Sequence, residues 1–445
     1  MNRPVVAPPG PWSFPLPETS HLDNGLRVHA YDLPGQYVVS ARLVVPFGLN
    51  SEPEGQDGVA AMTARLLDEG TSRHTGEEFA ALLERHGIAF GAGVNDGGLM
   101  VDLDVPRRHL GVALHLLTEA VADPVFPEAQ VRRILRSRLA EIEQERASSP
   151  HRAARELIAT MYAGGSRAAL PTAGRAESIQ ALTRSKIAAF HARTLAPDQA
   201  TLVLAGDLGG LELDGLVTAS LGQWRSGPTQ IQPSAAPIPA PDAARLVIVD
   251  RPDSVQTEIS IGCPGPDRSS PAWPAYPVIG FILGGSPNAR IDAVLREEKG
   301  YTYGIRSSFR PRAVGGSFVT SGSVRGEVAG ESVEILLGLL AKARDGFTDE
   351  EVRMGSDYVS GTAPARYATA DAVADEAAAL ALESLPLDFP TTTLAQVRAL
   401  TDEDLGEAYR AVVGQDLTVI LVGDAAQIEP AVRGRTPFDV SVVTN

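Results

Sequence analysis

Between Ile291 and Gly304 the chain reads Ile-Asp-Ala-Val-Leu-Arg-Glu-Glu-Lys-Gly-Tyr-Thr-Tyr-Gly, and two of these side chains suit the handling of a carbonyl group. Arg296 carries a rigid fork of N–H donors and Tyr303 a single directed O–H, a pair able to grip and polarise a carbonyl oxygen. Ile291, Val294 and Leu295 recur at i, i+3 and i+4, so a helix is expected from about Arg290 to Lys299, closed by Gly300 in a left-handed turn. A strand is then expected to begin at Tyr301, with Tyr301, Tyr303 and Ile305 on one face. That places Arg296 and Tyr303 at the mouth of a helix-to-strand turn. Simpler roles stay open for both: an ion pair between Asp292 and Arg296 four residues apart, and an ordinary core strand position for Tyr303.

The elements that would position them belong to a chain of 445 residues, long enough for about three average domains or two larger ones. Hydrophobic residues make up 44% and charged residues 21%, as in a soluble globular protein, and no apolar run reaches membrane-spanning length. The start, Met-Asn-Arg-Pro-Val-Val-Ala-Pro-Pro-Gly-Pro, has no apolar core and no cleavage site for secretion, and Cys263 is the single cysteine. A cytoplasmic location is the expectation. The formal charge of −16 argues against nucleic-acid binding, which needs clustered Lys and Arg.

Residues 1–20 form a Pro-rich arm in which Trp12 and Phe14 are the large apolar groups. Beyond it, Leu26 to Ala30 and Val38 to Val45 read as the two strands of one hairpin, followed by helices from about Gly58 to Asp68 and Thr75 to Arg85. Strands near Ile88 to Val94 and Leu99 to Val105 come next, the first a candidate edge strand. Helices over Arg107 to Ala122, Pro127 to Arg146, Arg152 to Met161 and Thr183 to Leu195 lead to a short apolar strand at Ala200 to Ala205. Five prolines between residues 226 and 242 mark a stiff linker.

After the linker the order of elements returns. Val125-Phe-Pro-Glu-Ala-Gln-Val131 echoes Gly346-Phe-Thr-Asp-Glu-Glu-Val352, Leu182-Thr183 echoes Leu400-Thr401, and Thr201-Leu-Val-Leu-Ala-Gly-Asp207 echoes Thr418-Val-Ile-Leu-Val-Gly-Asp424, at offsets of 221, 218 and 217 residues. Near-constant offsets identify an internal duplication of two halves, 21–225 and 243–445. Hairpins mixed with long helices give an α+β class, helices packed on mainly antiparallel sheets, with a cleft between two tethered lobes as a natural ligand site.

The duplicated halves, the Gly58-Val-Ala60 opening and the Leu-Arg-Glu-Glu-Lys-Gly-Tyr-Thr-Tyr string together resemble the M16 metallopeptidases of the pitrilysin and insulinase clan, especially the short M16B members. The resemblance runs from about Leu22 to Ala426 and implies two metallohydrolase-like layered halves. In the family an H-x-x-E-H motif on the first long helix supplies two zinc ligands and a water-activating glutamate, and a further glutamate completes the site. Laid on that pattern, the histidines fall on Ala61 and Arg65, the activating glutamate on Ala64, and the last ligand on Glu141. Alanine has no lone pair to give and a guanidinium repels a divalent cation, so no metal is expected in this chain. None of the eight histidines repairs the set, and the second half contains none. Arg65 is instead expected to pair with Glu141 and close the vestigial site.

The resemblance also implies a division of labour. In two-subunit bacterial members and in the related mitochondrial processing peptidase, one chain holds zinc while its sister has lost it. In the bacterial pairs the sister's second half lends an arginine and a tyrosine at the spacing of Arg296 and Tyr303. The expectation is therefore a non-zinc subunit, partnered with a zinc-bearing paralogue or a homodimer in its absence, acting on unfolded peptides. A scaffold or peptide-binding pseudoenzyme is the rival reading, from another class.

Overall fold

The computed structural model describes residues 12–444, so the first eleven residues of the Pro-rich arm lie outside the described residues. Two six-stranded mixed sheets carry the architecture. The first is built from β1 (Glu18–His21), β2 (Arg27–Asp32), β3 (Val38–Pro46), β4 (Ala89–Asn95), β5 (Gly98–Pro106) and β6 (Thr201–Gly206), in the order β1-β2-β6-β3-β5-β4. The second contains β7 (Leu246–Asp250), β8 (Gln256–Gly265), β9 (Arg306–Pro311), β10 (Gly316–Arg325), β11 (Thr418–Gly423) and β12 (Val440–Thr444), in the order β12-β7-β11-β8-β10-β9. Five strands correspond one to one. β2 runs parallel to β6 as β7 does to β11, and every other shared neighbour is antiparallel in both sheets. Only the sixth strands differ, β1 being antiparallel to β2 and β12 parallel to β7.

One expected pairing is corrected. β2 and β3 are not a hairpin, because β6 sits between them. Every residue of β6 is buried, and so apolar a strand takes an inner seat with both faces covered. The pairing of β4 with β5 is as expected, and β4 lies at the sheet edge.

What covers the second face of each sheet was not legible in the sequence. On β3 and β6, Leu43, Val45, Leu202 and Leu204 face the helices of their own half, while Val44, Val203 and Ala205 meet the helix Ala370–Glu383 from the other half. On β7 and β11, Leu246, Ile248 and Leu421 face their own core, whereas Val247, Val249, Ile420 and Val422 meet Ala153 and Leu157 of the helix Ser149–Met161 from the first half. The period-two alternation of a strand thus serves two halves at once. The lobes exchange helices rather than hanging from a tether. The buried Arg42 on β3 reinforces the exchange, its Nε donating to Asp375 of the visiting helix at 2.7 Å and its Nη1 to Asp104 at 3.1 Å.

The linker also lies down. Gly48 N donates to Gln232 O at 2.7 Å, Ala163 N to Ile238 O at 2.8 Å and Ala240 N to Met161 O at 2.9 Å, so the segment is held along the first half. The arm packs by the expected side chains: Trp12 stacks on Tyr367 at 5.6 Å, and Phe14 meets Tyr31 and Tyr367 edge-on.

Candidate functional site

The positions that the resemblance assigns to a metal site, Ala61, Ala64, Arg65 and Glu141, lie together on the first half. A six-residue helix, Val59–Ala64, carries Ala61 and Ala64, both buried, with Arg65 at its C-terminal cap. It is shorter than the Gly58 to Asp68 expectation because the amides of Leu66 and Leu67 turn back three residues, to Thr63 and Ala64. Its start is fixed tightly. Glu52 Oε1 accepts from the amides of Gly58 and Ala60 at 3.0 Å each, while Arg167 Nε donates to Glu52 Oε2 at 2.8 Å. Gly58 has φ 95°, and a Cβ there would lie 2.7 Å from Gly174 Cα, so the position requires glycine.

Opposite stands the helix Glu128–Ala147 with Glu141. Arg65 Nη1 donates to Glu141 Oε1 at 2.8 Å, and Arg138 Nη1 donates to Oε2 at 3.2 Å, so both carboxylate oxygens are taken. Hydrogen bonding from Arg65 holds the Glu141 carboxyl below the usual glutamate range, against the opposing pull of partial burial. Arg138, whose side chain is only 4% exposed, continues to Glu145 at 2.6 and 3.1 Å and to Ala173 O at 3.2 Å. Sequence reasoning missed Arg138, although its spacing of three and seven residues from Glu141 and Glu145 marks one helix face.

These residues do not fit zinc. Two positions lack a donor atom, one is a permanent cation, and the single remaining carboxylate is bound to two guanidinium groups. Among the described residues no group of three or more His, Cys, Asp or Glu side chains is arranged to hold a metal ion.

The second set lies on the other half, and its local structure departs from expectation. The helix begins at Arg290–Asp292 but continues as a π-type turn over Ala293–Glu298, with Lys299 N reaching back to Val294 O at 3.0 Å. Such widened turns recur at functional sites. Asp292 does not pair with Arg296. It is fully buried, accepting from Ile305 N at 2.9 Å and from Arg306 Nη1 at 2.7 Å, and among the described residues Arg296 pairs instead with its exposed neighbour Glu297 at 3.2 Å.

Nor is Tyr303 in a strand, for β9 begins at Arg306. Residues 300–305 form a loop pinned at nearly every step. Gly300 takes φ 64°, and Tyr301 N bonds to Leu295 O at 2.8 Å. Tyr301 Oη donates to Glu331 at 2.8 Å, Thr302 Oγ1 donates to Ser323 O at 2.7 Å, and Gly304 N donates to Thr302 Oγ1 at 3.0 Å. Tyr303 alone points outward, 96% exposed. The pinned loop thus presents one bare phenol, and Arg296, in the turn that precedes it, keeps 39% of its side chain exposed.

Two mixed sheets of matching strand order, each covered on one face by a helix from the other half, define a duplicated α+β fold. The profile of the insulinase family, peptidase family M16, matches residues 27–173, and that of the peptidase M16 inactive domain matches residues 181–355. The chain belongs to family M16. It is similar to an uncharacterised zinc protease of Mycobacterium bovis, 25% identical over 366 residues that cover 80% of this chain and 82% of the relative. A non-peptidase homologue of Helicobacter pylori is 23% identical over 379 residues, covering 83% and 85%. Among solved structures, a peptidase M16 inactive domain from Pseudomonas fluorescens aligns with a TM-score of 0.83 at 25% identity, covering 92% of this chain and 98% of that one. A protease from Helicobacter pylori shares the fold at 18% identity, with a TM-score of 0.85 and coverage of 92% and 100%.

Proposed function

We infer that this chain is the non-zinc subunit of a two-chain, cytoplasmic M16B-type peptidase, lending Arg296 and Tyr303 to a peptide-hydrolysing site whose zinc and general base belong to a partner. The observation that carries the reading is Tyr303, bare on a loop whose other residues are tied down. In that role the phenol donates to the carbonyl oxygen of the scissile bond, and Arg296 anchors a neighbouring backbone carbonyl of the peptide. The Arg65–Glu141 pair supports the same division, since a permanent cation keeps the local metal position shut. The names of the similar proteins, an inactive domain and a non-peptidase homologue, agree with a subunit inactive on its own.

The test is assembly with a zinc-bearing M16B paralogue and turnover of a quenched unfolded peptide. Tyr303→Phe in this chain is expected to lower kcat by about 10²–10³, the usual effect of losing one preorganised oxyanion donor. Unchanged turnover in the assembled pair overturns the reading and leaves a scaffold.

A further inference from the structure

Between the turn that carries Arg296 and the loop that carries Tyr303 stands a buried carboxylate. Asp292 ends the short helix Arg290–Asp292, about one turn before Arg296, and no part of it reaches the surface. Its Oδ1 accepts from the amide of Ile305 at 2.9 Å and its Oδ2 from Arg306 Nη1 at 2.7 Å. These are the second and third residues after Tyr303. Gly304, which separates them from the tyrosine, takes φ 153° and lies against the same guanidinium, for a Cβ built there would be 3.1 Å from both terminal nitrogens of Arg306. From the other side β10 closes in. A Cβ at Gly322 would lie 2.8 Å from Gly304 O and 3.1 Å from Ile305 Cα, so a side chain at this point of the strand would push the loop away. Tyr303 itself is almost fully exposed, so packing of its ring does not place it and the backbone beside it must.

We propose that Asp292 is a positioning residue for Arg296 and Tyr303: its carboxylate ties the turn that bears the arginine to the backbone just beyond the tyrosine, and so sets where the two donors stand relative to one another. The inference rests on this chain being the subunit that lends those donors to a peptide-hydrolysing site, and it names the group that keeps them in register. Enclosed as it is, Asp292 touches no peptide and acts only through the other two. Its two bonds have different tasks. The bond from the Ile305 amide fixes the loop, and a backbone donor answered by a carboxylate makes one of the stronger hydrogen bonds. Arg306, with 55% of its side chain exposed, supplies the countercharge that a buried carboxylate requires and lays its guanidinium on Gly304. Donors aimed at a developing oxyanion lose their effect steeply when displaced, an error of 1 Å costing about 10²-fold. Cutting the tie therefore depresses turnover more than peptide capture.

The experiment uses the full chain assembled with a zinc-bearing M16B paralogue, with kcat and KM for a quenched unfolded peptide expressed per assembled pair. Asp292→Ala is expected to lower kcat by about ten-fold or more while KM stays within about two-fold. Asp292→Asn, which keeps an oxygen for the Ile305 amide, should restore most of that loss. Gly322→Ala presses on the same loop from β10 without removing a polar group, so it should lower kcat as well, and it decides the matter should Asp292→Ala fail to fold. On a Tyr303→Phe background both substitutions should add little to the loss in kcat, because a residue that acts through the phenol then has no donor left to aim. A purely structural Asp292 gives another pattern: a lower thermal midpoint with kcat per assembled pair unchanged, or the same fold loss on both backgrounds. Either result, or a Gly322→Ala pair that turns over like wild type, overturns the inference while leaving the subunit reading intact. Failure of that reading is seen separately, as a Tyr303→Phe pair with undiminished turnover, and overturns both.

Discussion

At the scale of single residues, the side chain most exposed to disruption is Arg138. Its guanidinium is almost wholly buried and answers two carboxylates and a carbonyl, so truncation would remove both of its bonds to Glu145 and leave Glu141 with Arg65 as its guanidinium partner. Arg138→Ala is expected to cost about 2–3 kcal/mol in urea unfolding, below the roughly 3–5 of a fully buried broken pair because Glu145 is 42% exposed. Arg65→Ala should cost far less, since both partners of that pair keep about a third of their exposure. The Arg65–Glu141 pair was legible because a cation placed where a retained acid could answer it is a matter of residue type and spacing. Arg138 was hidden because its partners become apparent only when one helix face is seen against the Ala173 carbonyl. Tyr303 was legible as a position and not as an environment: alternation in Tyr301-Thr302-Tyr303 suggested a strand, yet Thr302 and Asp292 use their oxygens to cap loop amides and hold the segment out of the sheet.

Among the elements, the visiting helix Ala370–Glu383 is the most consequential. Its alanines let it lie close on β3 and β6, where Ala374, Ala377 and Ala378 are completely buried. At its end, burial drives the Glu383 carboxyl up to about 7, and Glu376, Asp96 and Asp267 add to the rise that Arg268 opposes. A carboxyl with a raised native pKa binds its proton more tightly in the folded state. Its stabilising contribution is therefore complete below the ordinary value of 4.5 and lost as pH climbs through about 7. Glu383→Gln should raise stability at pH 8 by about 1–2 kcal/mol and flatten the thermal midpoint between pH 5 and 8, as differential scanning calorimetry at stepped pH would show. A wild-type midpoint already flat across that window would contradict the assignment. Periodicity announced helices of this kind but not their destination, because an apolar stripe says that a face is covered and not by which half.

For the molecule as a whole, the duplication was legible from constant offsets, whereas the interlocking of its two copies was not. Sequence repeats suggest separable lobes. The exchange of Ser149–Met161 for Ala370–Glu383 makes each lobe incomplete, leaving an apolar sheet face bare if its counterpart is missing. Fragments ending or starting within residues 226–242 should accordingly aggregate or show weak cooperativity when expressed singly, and recover a single sharp transition when co-expressed. Two independently stable fragments, seen as separate cooperative melts, would refute the interlock.

The exchanged helix also sets a schedule for synthesis. β6 closes the first sheet at Gly206, but the helix that shields β3 and β6 from water emerges from the ribosome only after Ala370, roughly 10–30 s later at ordinary translation rates. For that interval Val44, Val203 and Ala205 lack the helix that packs on them in the finished fold. The fold therefore leaves part of an apolar sheet face waiting on a segment made late in the chain.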